Sequence, residues 1–417
     1  MGTGMRASLS QIAAAVGGRL IGPDVSVTGP VVTDSRQAAE GSLFVAVHGE
    51  RTDGHAHLGS AGALGAVGAI VSDLEAARSG TSQGQTQERS MGLVLVEDTV
   101  TALGALARTH LEALRQAAAE QGERLTVVAM TGSVGKTTTK DLTRQLLARS
   151  GPTVAPRASF NNEIGLPLTV LEADESTRYL VLEMGASGPG HIAYLTGIAP
   201  LDAAGVLMVG HAHMGGFGSI EGVAAAKAEI VAGLRPDGTG ILNADDARAA
   251  AMAELAPARV LTFSSQGRAA DLRAENVVLD AAARAAFDLH LPGLDEPRRV
   301  QLAVAGAHNV ANALAAAGLA LAAGLAPELI AERLGSVSIE SPHRMDVSEL
   351  GGDLLLIDDS YNANIDSMTA ALAVLPALAG DRRRVVVVSE MLELGESSAA
   401  DHARTGELAA QAGAAML

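Results

Sequence analysis

Hydrophobic and polar positions alternate in two rhythms along the chain. Ser8-Leu9-Ser10-Gln11 sets a hydroxyl and an amide three residues apart, which predicts a capped helix start and a helix over 12–16. A strand-and-turn region follows to about residue 96, with the apolar run Leu43-Phe44-Val45-Ala46-Val47 inside it. Residues 78–90 are Gly/Ser/Gln-rich and predict an exposed loop. Residues 99–121 are Ala-rich with helical spacing and predict a bridging helix. A short apolar run at 125–130 predicts a buried strand, followed by a Gly-rich loop and a helix through Arg149. Strand-like runs recur at 179–184, 203–209 and 240–243, separated by helical stretches. That alternation predicts a parallel sheet flanked by helices. From about Ile339 the pattern repeats as strand 354–358, helix 366–378 and strand 384–389. The expected fold is α/β with three domains, 1–103, 104–338 and 339–417. The last is expected to be incomplete, because Ala415-Met416-Leu417 falls in an apolar run with no cap or turn.

The composition narrows the function classes. A net charge of −17 argues against nucleic-acid and anionic-membrane partners. Any anionic ligand must then be met by local positive charge. The chain has no cysteine, which excludes thiol catalysis, disulfides and cysteine metal sites and fits a cytoplasmic protein. No basic stretch leads into an apolar core at the N-terminus, so no signal peptide is expected. The run 313–326 is mostly Ala and Gly and shorter than the roughly 20 residues that span a bilayer. It predicts a buried helix, with Pro327 opening the next element, and membrane insertion is not expected. Of 30 basic residues only Lys136, Lys140 and Lys227 are lysines. Arginine serves elsewhere, so lysine is expected where a compact ammonium or a neutral amine is needed, and all three are expected in phosphate chemistry.

The segment Gly132-Ser133-Val134-Gly135-Lys136-Thr137-Thr138 follows the predicted strand and opens a helix. Backbone N–H groups there would converge on phosphates at the positive helix end. Lys136 would bridge the outer phosphates, and Thr137 would offer its hydroxyl to Mg²⁺. The commoner Gly-x-x-x-x-Gly-Lys spacing would need glycine at 130, where Met130 stands. Glu183, at the carboxyl end of the run 179–183, suits a magnesium ligand. His211 and His213 alternate after the run 203–209 with no third zinc ligand evident. Lys227 lies in an Ala-rich helical stretch; if buried, its free amine would take up CO₂ and become a two-oxygen anion, although a surface lysine is the default.

Thr131–Thr137, Glu183, His213 and Lys227, in that order, resemble the Mur ligases, ATP-dependent amide-forming enzymes of peptidoglycan assembly. Thr33-Asp34-Ser35-Arg36, Gly41–Ala46 and Asp53-Gly54-His55 resemble that family's small UDP-binding N-terminal domain. Asn161-Asn162-Glu163-Ile164-Gly165 resembles the loop facing the peptide substrate, and Gly306–Ala313 the segment contacting adenine. Asp358–Asn364 and Glu390–Gly395 resemble the Rossmann-like C-terminal domain of the member that adds D-alanyl-D-alanine to UDP-N-acetylmuramoyl-tripeptide. The Asp-Asn-Pro-Arg motif of the diaminopimelate- or lysine-adding relative is missing. Ile365, Ser389-Glu390 and Gly215 depart from the family pattern.

The resemblance implies a central P-loop ATPase domain and a monomer using ATP and Mg²⁺. It places Gly132, Ser133, Val134, Gly135, Lys136, Thr137, Thr138, His308, Asn309, Asn312, Arg344 and Asp359 on ATP. It places Asp34, Ser35, Arg36, Asn161, Asn162, Tyr361 and Asn364 on substrate. Thr137 and Glu183 would hold one metal, and His213 with carbamylated Lys227 the other. Arg344 and Asp359 would reach the nucleotide when the third domain closes over the second. The rival expectations are another ligase of the same superfamily and a P-loop regulatory ATPase that forms no bond.

Overall fold

A computed structural model describes residues 4–49, 52–81, 91–210 and 217–417. The N-terminal body is a five-stranded sheet of β1 (Arg19–Ile21), β2 (Val31–Val32), β3 (Leu43–Val45), β4 (Gly68–Val71) and β5 (Gly92–Leu95). Its order is β1-β5-β4-β3-β2, parallel except for the β1–β5 pair. The central body is a nine-stranded sheet of β6 (Thr126–Thr131), β7 (Thr153–Val154), β8 (Tyr179–Glu183), β9 (Leu201–Val206), β10 (Leu234–Asn243), β11 (Arg259–Ser264), β12 (Leu272–Leu279), β13 (Arg284–His290) and β14 (Arg298–Ala305). The order is β14-β13-β12-β11-β10-β9-β6-β8-β7, parallel from β7 to β12 and antiparallel at the β13 and β14 edge.

Strand β6 shows why this sheet is buried on both faces. Val127 and Ala129 point into one apolar cluster, while Val128 and Met130 point into another. A continuous apolar run with side chains on alternating faces is what a two-sided parallel strand requires. The first cluster takes in helices α1 (Leu9–Ala15) and α2 (Thr99–Glu120) and continues into the N-terminal sheet through Ile70 and Val94. The second packs helix α3 (Lys136–Ala148) and helix α7 (Asn309–Ala322) on the opposite face. Helices α4 (Gly165–Leu171), α5 (His191–Ile198) and α6 (Ile220–Ala232) lie between α2 and α7 in the chain.

The N-terminal capping box forms between Ser8 and Gln11, and it starts α1 at Leu9, three residues earlier than the apolar pattern predicts. Residues 78–81, predicted as loop, instead end the helix Leu74–Thr81; the remainder of that loop lies outside the described residues. Pro327 opens the helix Pro327–Leu334, as expected. No helix among the described residues is long and apolar enough to cross a membrane.

The C-terminal body pairs β15 (Asp346–Gly351) with β16 (Leu354–Asp358), followed by helices α8 (Ile365–Ala379) and α9 (Ser398–Gln411) around Leu372, Ala409 and Ala412. The strand predicted at 384–389 contracts to Arg384–Val385, because only these two residues find ladder partners, Ala414 and Met416.

A buried ionic knot joins this body to α3. Lys140 Nζ lies 2.7 Å from Asp141 Oδ1 and donates to Pro156 O at 2.8 Å and Ser341 Oγ at 3.0 Å. Asp141 Oδ2 accepts from the backbone N–H groups of Glu340 and Ser341 at 3.0 and 2.8 Å. Lys140 is 1% exposed and touches no part of the crevice, so it is a structural lysine and not the phosphate ligand its rarity suggests. Asp141→Ala leaves a buried ammonium without its carboxylate. It is expected to destabilise by about 3–5 kcal/mol, read from urea midpoints.

Candidate active site

The phosphate loop leaves the carboxyl end of β6, at the sheet's topological switch point, and enters α3. Gly135 is the helix N-cap with φ +85° and ψ −11°. A side chain there is excluded twice, by the left-handed backbone and by Asn312 Oδ1, which would lie 2.4 Å from its Cβ. The loop's N–H groups and the α3 dipole face a cavity of about 1180 Å³ lined by the central and C-terminal bodies.

Four elements converge on Thr137. Its hydroxyl donates to Glu183 Oε2 at 3.0 Å and pairs with Ser159 Oγ at 2.9 Å. Asn161 Nδ2 donates to the other carboxylate oxygen, Glu183 Oε1, at 2.8 Å. From the C-terminal body, Arg344 Nη2 donates to Thr137 Oγ1 at 3.3 Å. The Arg344 guanidinium stacks 4.2 Å from the Tyr361 ring centre, and its buried Nε has no partner among the described residues. An unpaired guanidinium N–H beside a phosphate loop is a donor prepared for an anion. Thr137, Glu183, Ser159 and Asn161 form an oxygen-rich donor set of the kind a hard divalent cation prefers.

Two lysines face the same space. Lys136 Nζ donates back to Gly132 O at 2.8 Å. Desolvation lowers its pKa; nearby Glu183 opposes the shift and Arg344 adds to it. Lys227, on α6, is 5% exposed and has no hydrogen-bond partner among the described residues. Burial, reinforced by Lys136, pushes it down to about 7. The sign of the resulting pH effect follows. Between pH 7 and 10.5 the unfolded chain holds a proton the folded chain has lost, so stability rises with pH across that window. Lys227→Met is therefore expected to stabilise the metal-free protein near neutral pH, by on the order of 5 kcal/mol below pH 7, with the gain vanishing above 10.5. Urea midpoints of both proteins in chelator across that range check this.

The other sequence-derived positions divide by location. Ser133, Val134, Thr138, His308, Asn312, Asp359, Tyr361, Asn162 and Asn364 all line the cavity. Asp359 accepts from Met345 N at 3.0 Å, and burial raises its carboxyl pKa. Asn162 Oδ1 caps α4 through Gly165 N at 2.9 Å, and Asn364 Oδ1 caps α8 through Ser367 N at 2.9 Å. Asn309 is fully buried behind Asn312: its Nδ2 donates to Ala305 O and its Oδ1 accepts from Asn312 Nδ2. It therefore bears on the cavity through Asn312. Asp34, Ser35 and Arg36 sit apart from the cavity in the N-terminal body. There Arg36 holds the Asp34 carboxylate at about pKa 2 through paired hydrogen bonds. His211 and His213 lie outside the described residues. Ser159, His191 and Tyr194 line the cavity without being expected there. Adjacency to Phe160-Asn161-Asn162 is the one signal that points to Ser159.

A second polar cluster lies in the N-terminal body, away from the cavity. His48, Asp53 and His55 lie close together. His55 Nδ1 bonds Asp53 Oδ1 at 2.6 Å and its Nε2 accepts from Ser72 N and Asp73 N, so the cluster ties His55 into the N-terminal body.

Three family descriptions match in order: "Mur ligase family, catalytic domain" at 30–111, "Mur ligase middle domain" at 130–320 and "Mur ligase, glutamate ligase domain" at 343–417. The UDP-N-acetylmuramoyl-tripeptide–D-alanyl-D-alanine ligase of Mycobacterium bovis is 42% identical over 96% of this chain and 80% of its own length. The chain belongs to the Mur ligase family. Within it, the match is to the MurF type. The Escherichia coli enzyme of the same name is 37% identical over 97% of this Mur ligase and 84% of its own chain. A crystal structure of MurF from Acinetobacter baumannii superposes with a TM-score of 0.84 at 33% identity, covering 98% of this chain and 84% of that one. The Thermotoga maritima MurF in complex with ADP superposes at 0.73 and 29% identity, covering 91% and 82%. The three-domain α/β architecture is shared with these Mur ligases.

Proposed function

We propose that this chain joins D-alanyl-D-alanine to UDP-N-acetylmuramoyl-tripeptide with conversion of ATP to ADP and phosphate. The observation that carries this reading is the meeting of Lys136, Thr137, Glu183 and Arg344 from three parts of the chain around one cavity. The relatives' printed names supply the substrates.

The chemistry follows from charge. A carboxylate approaching a triphosphate is repelled, so reaction needs concentrated positive charge and exclusion of water. The terminal carboxylate oxygen of the tripeptide attacks the γ-phosphorus, and the bond to the β-phosphate oxygen breaks. The amine nitrogen of the dipeptide then attacks the acyl carbon, the carbon–oxygen bond to phosphate breaks, free phosphate leaves, and the nitrogen gives up a proton. Lys136 and the loop N–H groups bind the phosphates, while Arg344 adds its guanidinium from the C-terminal body. Tyr361 orients Arg344 by stacking, and Asn161 fixes the Glu183 carboxylate.

Thr137 and Glu183 would hold one Mg²⁺; carbamylated Lys227 would hold a second, for which the resemblance also implies His213, outside the described residues. Bound there, the ions would neutralise phosphate charge. A lysine at about 7 is about half free amine at neutral pH, and the free amine is the form that adds CO₂. The proposed domains are 1–103 for UDP, 104–338 for ATP and 339–417 for the acceptor, in a cytoplasmic monomer serving cell-wall synthesis and division. The test is phosphate release with ATP and UDP-tripeptide, with and without D-alanyl-D-alanine, alongside product mass. Release that requires the dipeptide and yields the pentapeptide mass supports the reading; release without any acceptor supports a regulatory ATPase.

A further inference from the structure

The chain beyond β9 runs alongside the phosphate loop and is laced to it. Leu207 N donates to Thr131 O at 3.0 Å, and Ser133 N donates to Met208 O at 3.0 Å. The Ser133 hydroxyl then both donates to Gly210 O at 3.1 Å and accepts from Gly210 N at 2.8 Å. Gly210 is thus the end of the lace. Its φ is not in the left-handed region, so its backbone conformation does not demand glycine. A Cβ on Gly210 would lie 2.2 Å from Asp366 Oδ2, 3.1 Å from Met208 Cε and 3.2 Å from Asp366 Cγ, so the group it would push aside is the Asp366 carboxylate.

Asp366 belongs to the other side of the crevice. It stands in the first turn of α8, whose N-cap is Asn364 and whose Ser367 lines the cavity. A first-turn aspartate is ordinarily explained by the helix dipole. Its carboxylate also lies against the backbone of Gly210, the residue that grips Ser133. We propose that Asp366 is a positioning residue: docked on Gly210, it transmits the seating of the C-terminal helix through Ser133 to the phosphate loop. The proposal rests on the ligase reading above, because seating matters to turnover when Arg344 must reach Thr137. In this account a side chain at 210 displaces the Asp366 carboxylate from its seat.

The two roles separate in a double-mutant cycle. Gly210→Ala is expected to lower kcat about tenfold or more while the KM for ATP moves less than about threefold. Asp366→Ala alone has a smaller effect. The Gly210→Ala/Asp366→Ala double variant is expected to return to the kcat of Asp366→Ala, because the clash is gone. Asp366→Glu keeps the helix charge but overfills the contact, and it is expected to lower kcat; a dipole role alone predicts no change. Small-angle scattering on the same proteins with ATP reads docking without turnover. Gly210→Ala should be more extended than wild type, and the double variant as compact as Asp366→Ala. Wild-type turnover in the same assay tests the ligase reading separately. A double variant no faster and no more compact than Gly210→Ala, or Asp366→Glu with wild-type kcat, overturns the proposal.

Discussion

Lys136→Ala is expected to reduce ligation by at least about 10³-fold, the scale set by removing a preorganised charge at a phosphoryl-transfer centre. The loss should fall on kcat as well as on ATP affinity. Lys136 is the cation of the phosphate loop, and the nearby Arg344 enters from a different body. Lys136→Arg is not a remedy, because a forked guanidinium does not replace a point charge folded against Gly132 O. Melting curves should show no loss of stability, since the ammonium makes its one hydrogen bond within its own loop and removing a desolvated charge is not costly. Full ligation by Lys136→Ala would remove the phosphate-loop assignment.

Lys227→Ala is expected to be nearly inactive, by on the order of 10²-fold or more, and partly restored by formate or acetate. A long side chain runs from α6 into a closed position, and no described residue partners its nitrogen. Deleting it leaves room for a small carboxylate, which supplies the two oxygens that a carbamate would carry. A bare ammonium role predicts no rescue by anions. Rescue by formate but not by chloride at equal ionic strength separates the two. Normal activity without additives would make Lys227 structural.

Much of the centre is legible in the sequence because it is local. The Gly132–Thr138 loop follows its strand and opens its helix within a dozen residues, so its geometry is fixed by short-range rules. Glu183 is placed by the parallel register that sets it beside Met130. What escapes is the part decided by packing between distant segments. The rarity of lysine points to Lys140 as strongly as to Lys136, yet α3 turns Lys140 away from the cavity to meet Asp141 and Ser341. Asn309 and Asn312 share one motif and one helix face, but packing leaves Asn312 at the cavity and buries Asn309 beneath it. The Asp366–Gly210 contact joins residues 156 positions apart, 366 minus 210, and no periodicity encodes it. The antiparallel β13 and β14 edge is equally silent, since an edge strand alternates like any half-buried strand.

The proposed ligation begins when ATP phosphorylates a substrate carboxylate in this cavity. The direct measurement uses UDP-tripeptide carrying ¹⁸O in its terminal carboxylate, with ATP and D-alanyl-D-alanine, and weighs the released phosphate. The account predicts one ¹⁸O in each phosphate formed with product. Product accompanied by unlabelled phosphate would contradict it.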